Sequence, residues 1–294
     1  EACLVGSEMC IRDRFNINEM KFNKIGITIG KNVKLGKNVR IGDYATIYDN
    51  CIIGDNTIIS NHAIIGEPIN SYYHDSNYEN PTTIIGANSA IRSHSVIYAG
   101  NEIGENLHTG HHVTLREFNK IGNNCSFGNY TEMHGHADIG NYVRMHSRVG
   151  FGKYAKIEDF VFVSPNSGAA DDPQPPSNEC IPIYLGAYSF IAILVGILPG
   201  VRVGKHCLVG AQSLIARDIP DFSFAKGIPA KRVIDIRKIK SKQNPEMPYY
   251  PWPYSFERGM PWQGIGFETW AKRNNKDIPA VSYTHLRAHE TRFY

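Results

Sequence analysis

The sequence predicts an all-β solenoid, a parallel β-helix wound in three-sided coils. Three observations carry this. An apolar residue returns every six positions over most of the chain, glycine follows it in just over half of the repeats, and the fifth position is nearly always small or β-branched.

The longest unbroken phase runs from Ile85 to Val163. Its first positions are Ile85, Ile91, Ile97, Ile103, Thr109, Leu115, Ile121, Phe127, Met133, Ile139, Met145, Phe151, Ile157 and Val163, and only Thr109 is polar. Earlier hexads start at Ile29, Leu35, Ile41, Ile47, Ile53, Ile59 and Ile65, and later ones at Leu185, Ile191, Ile197, Val203, Val209 and Ile215. Fixed self-similarity of this kind marks a repeat architecture. A period of six cannot hold one face of a 3.6-residue helix, so an α-helical reading fails. The large residue is expected to point into a narrow core. The glycine is expected to ease the backbone round a corner, and the small residue to fill the space beside it. Three hexads make an 18-residue coil, so residues 18 apart should stack at about 4.8 Å, and nine coils should give a prism roughly 40 Å long. Cys51, Cys125 and Cys207 all fall at the inward fifth position and read as small core residues.

Two insertions break the phase, at residues 67–83 and 168–184. Both are rich in turn formers and polar or aromatic groups. Loops leaving a solenoid tend to share one working face. Tyr72, Tyr73, His74, Asp171 and Asp172 are therefore placed either at a substrate or in the ordering of their own loops. The β-helix is expected over 15–235 and a C-terminal extension over 236–281. The extension holds Trp252, Trp262 and Trp270. These should pack back on the prism or on a neighbouring subunit, with carbohydrate stacking as the alternative. Residues 1–14 and 282–294 resemble translated sequencing-adapter sequence and are set aside.

The 294 residues carry a formal charge of only +3, with 42% hydrophobic and 20% charged residues. This ordinary balance argues against a nucleic-acid partner. No apolar run is long enough to insert in a membrane as a helix. The cysteines show no zinc spacing, and the cytoplasm is the expected compartment.

The hexads resemble those of the hexapeptide-repeat acyltransferases, whose consensus is aliphatic-Gly-x-x-small-x, over residues 25 to about 235. The resemblance implies a left-handed coil, an exception to the usual right-handed crossover. It also implies a homotrimer with sites between adjacent prisms. The segment VGAQSLIARDIP, followed by AKGIPAKRV, is similar to the family's C-terminal coenzyme signature. That likeness implies acyl-coenzyme A binding, most simply acetyl-CoA, at Gly210, Ala211, Arg217, Gly227, Ile228, Pro229, Ala230, Lys231 and Arg232. Ala192 and Ile193 depart from the signature, standing where Gly and Ala are usual.

The repeat deviates most between 101 and 119, where Thr109 is the polar first position and Asn101, Leu107 and Asn119 break the fifth-position rule. Such departures tend to gather at functional sites. His111 occupies the third position of its hexad, as the family's catalytic histidine does, and an imidazole can take and return a proton near neutral pH. The resemblance thus implies direct acyl transfer with His111 as base, and closest likeness to acetyltransferases of nucleotide-linked amino sugars. Sugar O-acetylation and lipid-A-type acylation are the alternatives within the family. His112 is assigned to substrate or to orienting its neighbour, in a column with His94, Tyr130 and Arg148. Glu117 is assigned to fixing a histidine tautomer, and His134 and His136 to the nucleotide sugar. Two rivals stand outside this reading. A hexapeptide carbonic anhydrase needs paired metal histidines, and Arg116 and Glu117 occupy the positions five after His111 and His112, so no metal is expected. A non-catalytic solenoid leaves the coenzyme signature without a purpose.

Overall fold

The computed structural model describes residues 23–239, 252–254 and 256–276. The segments 1–14 and 282–294, and part of the C-terminal extension, lie outside the described residues. The chain winds as a parallel β-helix, as the repeat implies, left-handed as the family resemblance implies. Two-residue strands stack into three sheets of ten, nine and eleven strands, each strand pairing in parallel with the one a coil away. The first face holds strands such as Thr114–Leu115, the second Lys120–Ile121 and the third Ser126–Phe127. The prism therefore has three edges. Edge I joins the first and second faces, edge II the second and third, and edge III the third and first. An antiparallel hairpin, Ser223–Gly227 with Ala230–Asp235, extends the third face beyond the last coil.

The hexad positions do what their chemistry suggests, with one exchange of roles. First-position residues from Ile47 to Ile215 fill one continuous core, with the fifth-position residues beside them. Cys51, Cys125 and Cys207 lie in this core, and burial pushes their thiols up to about 12, about 12 and about 11. The corner conformation, however, does not fall on glycine. It falls on the fourth position, where residues such as His94, His112, Tyr130 and His136 hold φ of +61°, +56°, +58° and +54°. The second-position glycines serve close approach instead. A Cβ at Gly122 would meet the Gly140 carbonyl carbon and oxygen at 2.7 Å. The next coil leaves no room for a side chain there.

Thr109 is buried, and its hydroxyl accepts the Arg92 N–H at 2.8 Å, which satisfies the polar atom inside the fold. Asn101 and Asn119 are fully buried beneath edge I. Asn119 donates to the Asn101 amide oxygen at 2.9 Å, and both donate to the Arg116 carbonyl, at 2.6 and 2.8 Å. These departures from the repeat hold the backbone behind a corner and do not face a ligand.

Both insertions leave edge I, one following the strand Ile64–Glu67 and the other the strand Gly168–Ala169. The second is shorter than the sequence suggested, because Gly168–Ala169 is a regular rung of the first face. The C-terminal extension packs on edge II over the coils of Tyr142, Phe160 and Tyr188. Trp262, Phe267 and Trp270 pack with Met260 on Phe160 and Tyr188, and Trp252 donates its indole N–H to the Tyr188 carbonyl at 3.0 Å. Of the two packings expected for the tryptophans, the one on the chain's own prism is the one seen. Among the described residues, neither insertion nor the tail lies on edge III.

Candidate active site

The fourth positions of edge III form a ladder of flat side chains. Tyr44, His62, His94, His112 and Tyr130 stack ring on ring with centroids 4.9–5.1 Å apart and planes within 9° of parallel. The Arg148 guanidinium lies 5.8 Å from the Tyr130 centroid. The expected column is thus present, and it extends further toward the start of the chain. His112 is a rung of it, gripped on both faces. Burial lowers the proton affinity of His94, aided by His112, His62 and His111. Three face-to-face imidazoles cannot share charge without repulsion.

His111 precedes this rung and is half-buried. Its N–H donates to the Asn129 side chain at 2.6 Å, and its carbonyl accepts the Tyr130 N–H at 3.0 Å. Several coils place Asn or Asp at the third position, where the carboxyl or amide oxygen binds the preceding coil; Asp49, Asn123 and Asp159 do so. His111 stands at such a position with an imidazole in place of that acceptor.

The remaining acceptor-side residues do not join His111 within one chain. Arg116, Glu117, His134 and His136 lie on edge I, across the first face from edge III. Glu117 is six residues from His111, up to roughly 20 Å along an extended strand. Its carboxylate is held by the adjacent Arg116, with Nε at 2.9 Å and Nη2 at 3.2 Å. Arg116 also lies 5.1 Å from the Tyr98 ring centroid. Within one chain the partner of the Glu117 carboxylate is thus a guanidinium. His134 lies 3.6 Å from the Glu132 carboxylate on the open first face. His136 stacks between Phe118 and Tyr154, at 5.2 and 4.9 Å. Asp171 accepts the Lys153 N–H at 2.7 Å, and Asp172 accepts from Ser177 and Gln174. These two acids order the second insertion.

The coenzyme signature converges more fully. Ser213 donates its hydroxyl to the Gly210 carbonyl at 2.7 Å and accepts the Gly227 N–H at 3.0 Å. This bridge ties the last coil to the hairpin turn, bringing Gly210 and Ala211 to Gly227, Ile228, Pro229 and Ala230. Glycine is needed twice here. Gly227 has φ of +106°, and a Cβ at Gly210 would stand 2.9 Å from that of Lys226. Ile228 is 75% exposed at the hairpin tip, and Ile193, at the edge III position below Ala211, is 42% exposed. Lys231 is exposed, whereas Arg232 turns back to Ser223 at 3.1 Å and Asp235 at 3.7 Å. Arg217 lies on edge I, across the first face from Gly210. Gly210 and Ala211 share edge III with His111, five coils away or about 24 Å. Among the described residues, no group of three or more His, Cys, Asp or Glu is placed to hold a metal, and no helix is long and apolar enough to cross a membrane.

Comparison with known proteins gives a consistent picture. The family description "Bacterial transferase hexapeptide (six repeats)" matches residues 32–67. A putative acetyltransferase of Saccharomyces cerevisiae, YJL218W, is 35% identical over 92 residues, which is 29% of this chain and 45% of the relative. The putative acetyltransferase SACOL2570 of Staphylococcus aureus is 41% identical over 58 residues, 20% of this chain and 28% of the relative. The chain thus spans less than half the length of these relatives. The Arabidopsis UDP-N-acetylglucosamine acyltransferase superposes with a TM-score of 0.50 at 15% identity, covering 71% of this chain and 72% of that one, a likeness of fold.

Proposed function

From the premise that this chain is a hexapeptide-repeat protein of the transferase type, we propose that it is an acetyl-CoA-dependent acetyltransferase whose acceptor is a nucleotide-linked amino sugar. The observation that carries this reading is the alignment along edge III. Gly210, Ala211 and the hairpin turn at Gly227–Ala230 lie at one end, and His111 lies further along the same edge. Backbone groups and the exposed Ile193 and Ile228 suit an extended, partly apolar pantetheine arm, and exposed Lys231 suits the phosphates.

In the proposed reaction, His111 accepts a proton from the acceptor amine as its nitrogen attacks the thioester carbonyl. A backbone N–H steadies the oxyanion. The carbon–sulfur bond then breaks, and the thiolate leaves with the proton that His111 returns. A hydroxyl acceptor makes the same demands, so O-acetylation remains the alternative.

The acceptor residues Glu117, His134 and His136 sit on the other edge of the first face. A cyclic trimer reunites the two sets. In such a ring each interface is heterologous, pairing one patch with a different one. The chain's own tail lies on edge II from Tyr142 to Tyr188, which favours edge III of one prism meeting edge I of the next. We take the homotrimer as the working unit for that reason.

The test is thiol release from acetyl-CoA by the full chain, over a panel of nucleotide-linked amino sugars. His111→Ala should lower the rate by roughly two to four orders of magnitude. Release that survives in the variant moves the base elsewhere. An absence of both release and coenzyme binding would overturn the transferase reading.

A further inference from the structure

The first insertion does more than bridge two strands. Asn80, nearly buried, donates to the Gly66 carbonyl at 2.8 Å and the Asp49 carbonyl at 3.3 Å, and accepts from the Tyr78 hydroxyl at 2.7 Å. Tyr78 meets the Tyr72 ring edge to face at 5.8 Å, and Tyr72 meets Tyr73 the same way at 5.2 Å. The loop is therefore anchored to the prism through a chain of contacts that ends at Tyr73. Yet Tyr72 and Tyr73 are 52% and 65% exposed. Rings held in place but left open to solvent are not core residues.

Tyr48 and Glu67 border this anchor: a carbon added at Gly66 would stand 3.4 Å from the Tyr48 Cβ and 3.6 Å from the Asn80 amide nitrogen, and burial raises the Tyr48 phenol, with Glu67, Tyr73 and Tyr72 adding to the rise. Glu67 is half-buried, and burial raises its carboxyl above the usual range, with only the Tyr48 hydroxyl opposing. Among the described residues, no cation acts on its titration. The Arg116 guanidinium, further along the edge, is occupied by Glu117 and the Tyr98 ring. Glu67 pairs in register with Tyr98, one rung before Arg116. The niche is therefore continuous with the residues assigned above to the acceptor.

We propose that Tyr48, Glu67, Tyr72 and Tyr73 form a subsite for a neutral pyranose ring. Tyrosine faces cover the apolar C–H surface of such a ring, while the carboxyl and phenol bond its hydroxyls. An anionic diphosphate is disfavoured, since among the described residues no cation acts on Glu67. Calling this ring the acceptor sugar rests on the acetyltransferase reading; the binding of a sugar does not.

Saturation-transfer NMR on the full chain tests this with methyl glycosides of hexoses, hexosamines and N-acetylhexosamines, and with UDP as the sugar-free control. Wild type should transfer saturation to the ring hydrogens of at least one glycoside. Tyr73→Ala should weaken that binding about tenfold, and Glu67→Gln should do so for hydroxyl contacts, both with unchanged melting temperature. Transfer to no glycoside, or equal affinity in the variants, overturns the subsite. The turnover assay separates the two ideas. Acceptor KM should rise in Tyr73→Ala while acetyl-CoA KM stays. Turnover with unchanged acceptor KM sinks the subsite and leaves the transferase. Glycoside binding with neither thiol release nor coenzyme binding leaves the subsite and sinks the transferase.

Discussion

His206 should make the end of the prism acid-sensitive. It is 7% exposed on edge II, stacked between Tyr188 at 4.8 Å and Phe222 at 4.9 Å. Burial lowers its pKa from 6.5 to about 4, with Asp221 opposing and Lys205 and Arg237 adding to the drop. The unfolded chain therefore binds this proton more readily than the folded one. The stabilisation is fully present above pH 6.5 and is lost as pH falls through 4. A depression of that size, at 1.36 kcal/mol per unit, amounts to about 3 kcal/mol. In a solenoid the loss is felt locally, at the coils next to the group. Trp252, Trp262 and Trp270 lie on the same edge, so their fluorescence reports on it directly. Between pH 6.5 and 4 the tryptophan-detected midpoint should fall by roughly 6–12 °C beyond the general acid trend. The His206→Phe variant keeps a ring in the ladder, as Phe160 and Phe222 do at φ of +61° and +55°, and removes the titration. Its midpoint should depend less steeply on pH. Equal slopes for variant and wild type would refute the assignment.

Three further outcomes follow from packing. Gly122→Ala should cost about 1–3 kcal/mol by pressing on the next coil, while Gly150→Ala, with nothing within 4 Å of the added carbon, should be close to neutral; urea midpoints of the two variants decide. Asn119→Ala removes the donor to the Arg116 carbonyl and should cost about 1–3 kcal/mol, read by chemical denaturation. Trp262→Ala empties the centre of the edge II cluster, where Trp262 is fully buried, and should cost about 3–5 kcal/mol, seen as early release of the extension in hydrogen exchange.

The fold was legible because the hexad is a local rule repeated without interruption from Ile85 to Val163. Its core list, the inward cysteines and the His94–His112–Tyr130–Arg148 column all follow from counting by six and by eighteen. The rule fails where a rung lacks a large residue. Ala169 sits at a first position, and its small side chain hid the rung Gly168–Ala169 inside the second insertion. The glycine rule was legible as a pattern and misattributed as physics. The pattern shows that a side chain is unwelcome, but only the stacked coils show that the obstacle is the next backbone. The site was less legible because polar partners are set by neighbours in space. Thr109, Asn101 and Asn119 looked functional as exceptions, yet their hydrogen bonds are internal. Glu117 is spoken for by the residue beside it, a pairing that sequence order permits but does not announce. Glu67 and Tyr48 carried no sequence signal, since neither breaks a motif and they meet only across coils.

The three edges divide the work, and that division constrains how activity can arise. Each edge repeats one backbone conformation, so the sequence can specialise it only by what it places at the second, third and fourth positions. Edge II takes aromatic rings and, from Tyr142 to Tyr188, the chain's own tail. Edge I takes the two insertions, the Arg116–Glu117 pair and the exposed tyrosines. Edge III takes His111, the imidazole ladder, Gly210 and Ala211, and among the described residues no insertion leaves it to exclude water. A base on an open edge is a poor catalyst, because bulk water competes for its proton and screens its charge. On the proposed reading, a second prism laid against edge III would remove that water and bring the edge I residues to His111 in the same step. Dilution below the association constant should therefore abolish turnover before it unfolds the coils. Thiol release and sedimentation should fall together across a dilution series while far-ultraviolet circular dichroism stays constant; activity that persists in a dissociated chain would show that one prism suffices.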